Sequence, residues 1–553
     1  MAELNRPIRY TQEMIEDYFA KGYWTDDTTS RLWTKNARLY PDREAFVSAE
    51  RRLTWSQVKM MSDRVAWGLV EMGLKRGEML LVLLGNCFES YLVRVACEKA
   101  GILCATALMT VRESEIEYIL KNFGVTGIII PRKFRNFDYC SAVKEIRTRT
   151  PELKHILLTG DEEVPGTVSF EKMMDPPLEK KYGSEDFSKT EITATEISVI
   201  AMTSGTTGAP KGVEHAQCAR MAVAHCYRDQ VGLSGDDVVL NIISGVAGLG
   251  AGFNYNGAAP LAGAKSVLLE IWEVEETLRL IEREKATVLV CVPAQLTQIV
   301  RAPSLKQFDL SSLRCVSVGT APLPTSLAIE VEETMKIPVV NTYGQLDGGV
   351  VSYTAIDDIP EVRRLTVGKP ARGMVIQFIN EEGREDSSGE VVYSGPTTSG
   401  GYYKDVRSTL EAWKSLGLEG RFRSGDLGRL DASGNLLLMG RKKDVIIRGG
   451  QNIYPVEVEG LLLNHPKVKS VAIIPMPDPV MGEKPCAYVA LNPGEHFTFE
   501  EMVVFLKEKK IALYKIPERL EVLEELPLRG YQKVAKIELQ KDLHEKMKRE
   551  GNL

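Results

Sequence analysis

Between residues 55 and 300 the chain alternates two hydrophobic rhythms. Stretches at 55–74 and 273–285 repeat apolar positions every three or four residues, the period of a helix with one buried face. Short continuous apolar runs, MLLVLL at 79–84 and VLVCV at 288–292, alternate with such stretches and predict buried strands in largely parallel sheets. From about 370 to 440 the pattern shortens to brief strands separated by the turn-forming NEEGREDSSGE, SGPTTSGG and DASGN, which predicts a β-rich subdomain. After GRKKD the alternation begins again, with a helix expected over 455–465, strands over 468–475 and 486–491, a helix over 500–510 and a last strand-like stretch. The expected fold class is α/β. A large N-terminal domain of layered α/β subdomains plus the β-rich subdomain occupies 1–442, and a small α+β domain occupies 443–553. The terminal KDLHEKMKREGNL predicts a charged helical tail lying in solvent.

Composition narrows the function classes. With 553 residues, 44% hydrophobic and 26% charged, the chain is too long for one core. Its net charge of -6 argues against a global attraction to nucleic acid or an anionic membrane. The nine cysteines are scattered without a CxxC pair, the usage of a reduced, cytoplasmic protein. The opening residues carry acidic side chains and no apolar run, which argues against a secretory signal, and no stretch approaches the roughly 20 apolar residues of a membrane span. The oligomeric state is left open, a homodimer among the options.

The most informative segment is TSGTTGAPKG at 203–212, after the apolar run 197–202 and before a helix expected from about 218. Small residues let the backbone close around an anion. The hydroxyls of Thr203, Ser204, Thr206 and Thr207, the N–H of Gly205 and the charge of Lys211 are suited to phosphate oxygens. A Walker-type loop is disfavoured, because proline stands at its second glycine and glycine follows the lysine. The segment resembles instead the T-S-G-T-T-G-x-P-K-G signature of the adenylate-forming superfamily of acyl-CoA synthetases, stand-alone adenylation enzymes and luciferases. Further segments follow in that family's order. NTYGQLD at 341–347 resembles Y-G-x-[TA]-E, RSGD at 423–426 resembles R-T-G-D, GRKKD at 440–444 resembles G-R-x-x-D, and LPLRGYQK at 526–533 resembles L-P-R-T-x-x-G-K.

The resemblance implies roles residue by residue. Asp426 and Arg441 would hold the ribose, Tyr343 would face the adenine, and Asn341 and Thr342 would line its edge. Gly319, Thr320 and Ala321 would flank adenine and acyl group, with Gly344 and Gly245 shaping the acid pocket. Asp347 stands where the family has glutamate and would be the magnesium ligand, one methylene shorter, with Leu346 in place of the usual Thr or Ala. Lys533 matches the catalytic lysine, although Gln532 replaces the preceding glycine. The C-terminal domain would be mobile, rotating at Lys443 to present Gly449 and Gly450 to the pantetheine arm.

The implied activity uses ATP, Mg2+ and coenzyme A to turn a carboxylic acid into an acyl-adenylate and then a thioester. Gly245 stands where the family often has an aromatic residue or histidine, which suggests a bulky or cyclic acid. The alternative is a stand-alone aryl-acid adenylating enzyme that loads a separate carrier protein, a subgroup that GYW at 22–24 resembles. A nucleotide-binding regulator without catalysis is a third reading. The departures at Leu346, Asp347 and Gln532 favour it, and the retention of Lys211, Asp426, Arg441 and Lys533 argues against it.

Overall fold

A computed structural model describes residues 6–49, 51–160, 162–174, 187–203, 210–243, 251–413, 420–529 and 533–550, with backbone only at 251–256, 529 and 533. The apolar runs form the middles of two large sheets. Val288–Cys291 sits in a nine-stranded sheet beside Val238–Asn241 and Cys315–Val318, and Met79–Val82 sits in an eight-stranded sheet beside Leu103–Thr106 and Val125–Pro131. Pairing at these centres is parallel, as expected of strands covered by helices on both faces. The amphipathic segments are the helices Trp55–Glu71 and Val274–Glu284, the first opened by a capping box between Thr54 and Gln57.

Each large sheet ends in antiparallel additions, and these build the site. On the nine-stranded sheet Val339–Gln345 turns back as Gly349–Tyr353. On the eight-stranded sheet Ile197–Met202 pairs antiparallel with Gly212–Ala216, which pairs in turn with the two-residue strand Gly401–Tyr402. The expected β-rich subdomain is a five-stranded antiparallel sheet ending in Phe422–Leu430 and Leu436–Arg441. It shares one core with the nine-stranded sheet, where Phe378, Val391, Tyr393 and Phe422 pack with Val340, Tyr343 and Val350.

The strand Gly212–Ala216 is an element the sequence pattern does not show, and it lies between the glycine-rich loop and the helix expected from about 218. That helix, Gln217–Val231, begins only after the strand. Glu214, His215 and Gln217 interrupt the apolar pattern, although all three are buried. The strands on either side of the glycine-rich segment therefore pair as a hairpin, with Lys211 just before the second strand.

A single 3-10 turn, Lys442–Asp444, leads into the C-terminal sheet, where Val468–Asp478, Gly482–Leu491 and Arg519–Leu523 pack on Pro455–Leu462 and Phe499–Glu508. The tail is helical, Lys536–Arg549, but it is not a solvated end. Leu539, Leu543 and Met547, four residues apart, make a buried stripe against Ala472, Ile474 and Tyr488. Burying side chains of this size stabilises by about 1.5–3 kcal/mol each, enough to hold a helix that is otherwise highly charged.

No helix among the described residues is long and apolar enough to cross a membrane. Eight of the cysteines are buried and Cys87 is half-buried. Burial pushes the thiols of Cys226, Cys315 and Cys486 up to about 12. A thiol reagent such as DTNB should accordingly label at most Cys87 quickly in the native protein and all nine cysteines in guanidinium. Fast native labelling of several would contradict this packing.

Candidate active site

Asp426 is the centre of the arrangement. It lies on Phe422–Leu430 directly opposite Arg441 of the neighbouring strand, so a separation of fifteen residues in sequence becomes a cross-strand pair. Arg441 Nε is 3.1 Å from Asp426 Oδ1. From the nine-stranded sheet, Tyr343 donates its hydroxyl to Oδ2 at 2.7 Å, and Gln345 Nε2 donates to the same oxygen at 2.7 Å and to the Ser424 carbonyl at 2.9 Å. Burial and then the adjacent carboxylate push the Tyr343 phenol well above its ordinary value, which keeps it a donor. A cleft of about 350 Å³ opens beside this group, lined by Ser424, Gly425, Arg441, Lys442 and Lys443.

The strand that carries Tyr343 is held from beneath. Buried Gln230 donates to the Asn341 carbonyl, the Thr342 hydroxyl and the Thr354 carbonyl at 3.2, 2.9 and 3.2 Å, and accepts from Ser317 at 3.1 Å. Asn341 and Thr342 are thereby fixed in a strand that has a neighbour on each side. Gly344 has no room for a side chain, because a Cβ there would lie 2.4 Å from the Gly349 carbonyl.

Asp347 follows on the turn between the two strands. Gly348 is obligatory beside it, since a Cβ would come within 1.8 Å of the Tyr393 hydroxyl. Gly349 has φ +82°, and a Cβ there would lie 2.1 Å from the Thr397 carbonyl. Tyr402 donates to Asp347 Oδ2 at 2.6 Å, and Ser399 Oγ donates to the Asp347 carbonyl at 2.5 Å. Residues 396–399 are clamped in turn by the N-terminal segment. Arg9 Nε donates to the Ser399 carbonyl at 3.0 Å, the Tyr10 hydroxyl to the Thr398 carbonyl at 2.9 Å and Trp24 Nε1 to the Pro396 carbonyl at 2.8 Å. Leu346, the departure beside Asp347, packs against the apolar core that includes Trp33 and Phe46.

These groups suit a magnesium ion that keeps most of its own shell. The described residues hold no cluster of three His, Cys, Asp or Glu side chains. A single half-buried carboxylate, hydrogen-bonded on one oxygen, is the donor such an ion takes alongside phosphate and water.

At the neck of the glycine-rich loop Thr203 N–H donates to the Lys211 carbonyl at 2.8 Å, and Lys211 N–H donates to Thr203 Oγ1 at 3.0 Å. The Thr203 hydroxyl thus accepts within the neck. Ser204, Gly205, Thr206, Thr207 and Gly245 lie outside the described residues. Thr320, between buried Gly319 and half-buried Ala321, has φ +70° and a buried hydroxyl with no partner among the described residues. A non-glycine residue in that region costs about 1–2 kcal/mol.

The remaining positions lie towards or on the C-terminal domain. Lys443 is exposed on the connecting turn. Gly449 and Gly450, with φ +55° and +81°, form the two-residue turn between Ile446–Arg448 and Gln451–Ile453, the geometry that favours glycine in tight hairpins. Lys533 pairs with Arg529 in a short hairpin, immediately before the tail helix. Sequence reasoning missed Gln230, Gln345, Tyr393 and Tyr402, because their roles depend on pairing between distant strands.

Three sheets converge on two carboxylates, beside a hairpin whose neck carries Lys211 and with a second domain across a short turn. The chain belongs to the AMP-binding enzyme family: the family model matches residues 33–403, and a model of the AMP-binding enzyme C-terminal domain matches 457–533. It is 29% identical to the 2,3-dihydroxybenzoate-AMP ligase of Bacillus subtilis (strain 168) over 97% of this chain and 98% of that protein. It is also 29% identical to the medium-chain fatty-acid–CoA ligase of Escherichia coli (strain K12), over 97% and 94%. Among solved structures it resembles an anthranilate CoA ligase in complex with anthranoyl-AMP, with a TM-score of 0.84 at 23% identity over 94% of this chain and 98% of that one.

Glu214, on the hairpin strand after Lys211, gives a pH prediction. It is buried, its Oε2 has no partner among the described residues, and burial pushes its carboxyl up to about 7. Because the folded value lies above the unfolded one, folding favours the protonated form, and stability falls as pH rises from about 4.5 to about 7. Glu214→Gln should be near neutral at pH 5 and stabilising at pH 8 by on the order of 3 kcal/mol, measured by urea unfolding at the two pH values. Equal effects at both pH values would place a charged, solvated carboxylate there.

Proposed function

We propose that the chain is an AMP-forming acid–thiol ligase, which joins a carboxylic acid to ATP as an acyl-adenylate with loss of pyrophosphate and then transfers the acyl group to coenzyme A. The observation that carries this reading is the convergence of Asp426 and Arg441 with the Asp347 turn and the Lys211 neck. A ribose placed at Asp426 would direct its phosphates towards the loop and Asp347.

In the first half-reaction the acid's carboxylate attacks the α-phosphorus and pyrophosphate leaves. Two anions must meet, so cationic stabilisation dominates the barrier, and Lys211 and Lys533 are the candidate suppliers. Asp347 would hold magnesium, which when bound neutralises phosphate charge. Thr320, strained and unpartnered, would touch adenine or acyl group. In the second half-reaction the C-terminal domain turns at Lys443, a proposed boundary between 1–442 and 443–553, withdraws Lys533 and brings Gly449 and Gly450 to the pantetheine arm. The thiol then attacks the acyl carbonyl and AMP leaves.

The proposed acid is bulky or cyclic, which rests on Gly245 in the sequence and on likeness to aryl-acid relatives. Transfer to a carrier protein is the second reading, which rests on likeness to the B. subtilis 2,3-dihydroxybenzoate-AMP ligase, matched over the same 97% of the chain as the E. coli CoA ligase.

Acid-dependent pyrophosphate release should be measured across benzoic, hydroxybenzoic, cyclohexanecarboxylic, linear and short acids, with and without coenzyme A. Steady turnover with a cyclic acid only when coenzyme A is present is the expected result. A single burst that coenzyme A does not relieve would favour the carrier reading. No release with any acid, despite ATP binding, would overturn both. Lys533→Ala should lower pyrophosphate release by about a hundredfold or more while sparing thioester formation from preformed acyl-adenylate. Equal loss in both half-reactions would remove Lys533 from its adenylation role. Asp426→Asn should raise the KM for ATP by on the order of tenfold, since a hydrogen bond to a charged group is lost. An unchanged KM would place the ribose elsewhere.

A further inference from the structure

Tyr402 lies on the eight-stranded sheet, while Asp347 lies on the nine-stranded one. Its backbone is pinned from both sides. Tyr402 pairs with Val213, two residues after Lys211, and its N–H donates to Thr409 Oγ1 at 2.8 Å. From that position the one side chain meets two functional groups. Its hydroxyl donates to Asp347 Oδ2 at 2.6 Å, and its ring face lies 4.7 Å from Lys211 Nζ, which also donates to Ser408 Oγ at 2.9 Å.

Each contact has a physical consequence. The hydroxyl engages Oδ2 of Asp347 and so fixes the direction in which the carboxylate presents its other oxygen, Oδ1. An aspartate is short, and its useful direction depends on such a restraint more than a longer glutamate's would. The ring face attracts the ammonium of Lys211 and keeps it beside the loop neck rather than in ion pairs elsewhere. Burial and the Asp347 charge raise the phenol's pKa, so it stays a donor over the working pH range.

We propose that Tyr402 is a positioning residue that sets the magnesium-facing oxygen of Asp347 with its hydroxyl and the phosphate-facing ammonium of Lys211 with its ring. This rests on the reading of Asp347 as the metal carboxylate. It explains how this chain works with aspartate there, because a tyrosine from the other sheet fixes the direction that side-chain length would otherwise supply.

The test separates the two functions of one ring. Tyr402→Phe keeps the ring and its packing on Trp413 and removes only the hydroxyl. The readouts are Mn2+ binding to the enzyme–ATP complex by electron paramagnetic resonance, the Mg2+ concentration at half-maximal pyrophosphate release, and ATP binding in EDTA. Tyr402→Phe should weaken Mn2+ binding and raise the Mg2+ midpoint on the order of tenfold, with metal-free ATP binding unchanged. Tyr402→Leu should in addition weaken metal-free ATP binding, since Lys211 loses its platform. Asp347→Asn is the reference, and it should shift the metal midpoint at least as far. If Asp347→Asn shifts the midpoint and Tyr402→Phe does not, the positioning role is overturned and the metal assignment stands. If neither shifts it, the metal assignment falls and the positioning role with it. Loss of metal-free ATP binding in Tyr402→Phe would make the hydroxyl structural and would also overturn the proposal.

Discussion

A carboxylate taken out of water must be met by donors, and at the candidate site Asp426 is met by three. Arg441 comes from the adjacent strand, and Tyr343 and Gln345 come from another sheet. Leaving such a group unpaired costs several kcal/mol, so the five-stranded and nine-stranded sheets are held in one relative position by the need to satisfy it. Asp347 does the same between the nine-stranded and eight-stranded sheets through Tyr402. Tyr393, from the five-stranded sheet, packs beneath the same turn and leaves room only for glycine at 348. The candidate site is thus built at strand ends and sheet edges, and its loops are tied to rigid elements at their bases.

The turn between the domains is anchored on one side. Glu390, buried in the five-stranded sheet, receives Arg423 and, at 3.2 Å, Lys442. Lys442, exposed like its neighbour Lys443, is tied to the large domain by this ion pair. A rotation at 443, as proposed, leaves the Arg441–Asp426 pair undisturbed, because the anchored residue stands between them. The nucleotide sugar would keep its contacts through both half-reactions while the C-terminal domain changes faces.

Much of the architecture was legible because the buried strands are continuous apolar runs and the helices have one apolar face. Ile197–Met202, Val288–Cys291 and Val274–Glu284 fall where the pattern puts them. The strand Gly212–Ala216 was not legible, since Glu214 and His215 are buried there in spite of their polarity. The tail was read as solvated because its charge hides three apolar residues spaced four apart. At the site, motif spacing marked Asp426, Arg441, Tyr343 and Lys211. Tyr402, Gln345 and Gln230 carry no local signal, because what they do depends on which strands become neighbours after folding. The Gly449–Gly450 pair was visible in sequence, and its left-handed turn gives the glycines a local reason to be there in addition to any role towards a thiol.

The burial of the sulfur atoms bears on a hazard of this chemistry. A mixed anhydride of a carboxylic acid and a nucleotide phosphate acylates any thiolate that reaches it, and the second substrate is itself a thiol prone to mixed disulfides. With eight cysteines buried and Cys87 half-covered, the protein offers its reagents almost no competing sulfur nucleophile of its own. Self-inactivation by acyl capture or by oxidation with free coenzyme A is thereby held back by packing alone, without excluding cysteine from the sequence.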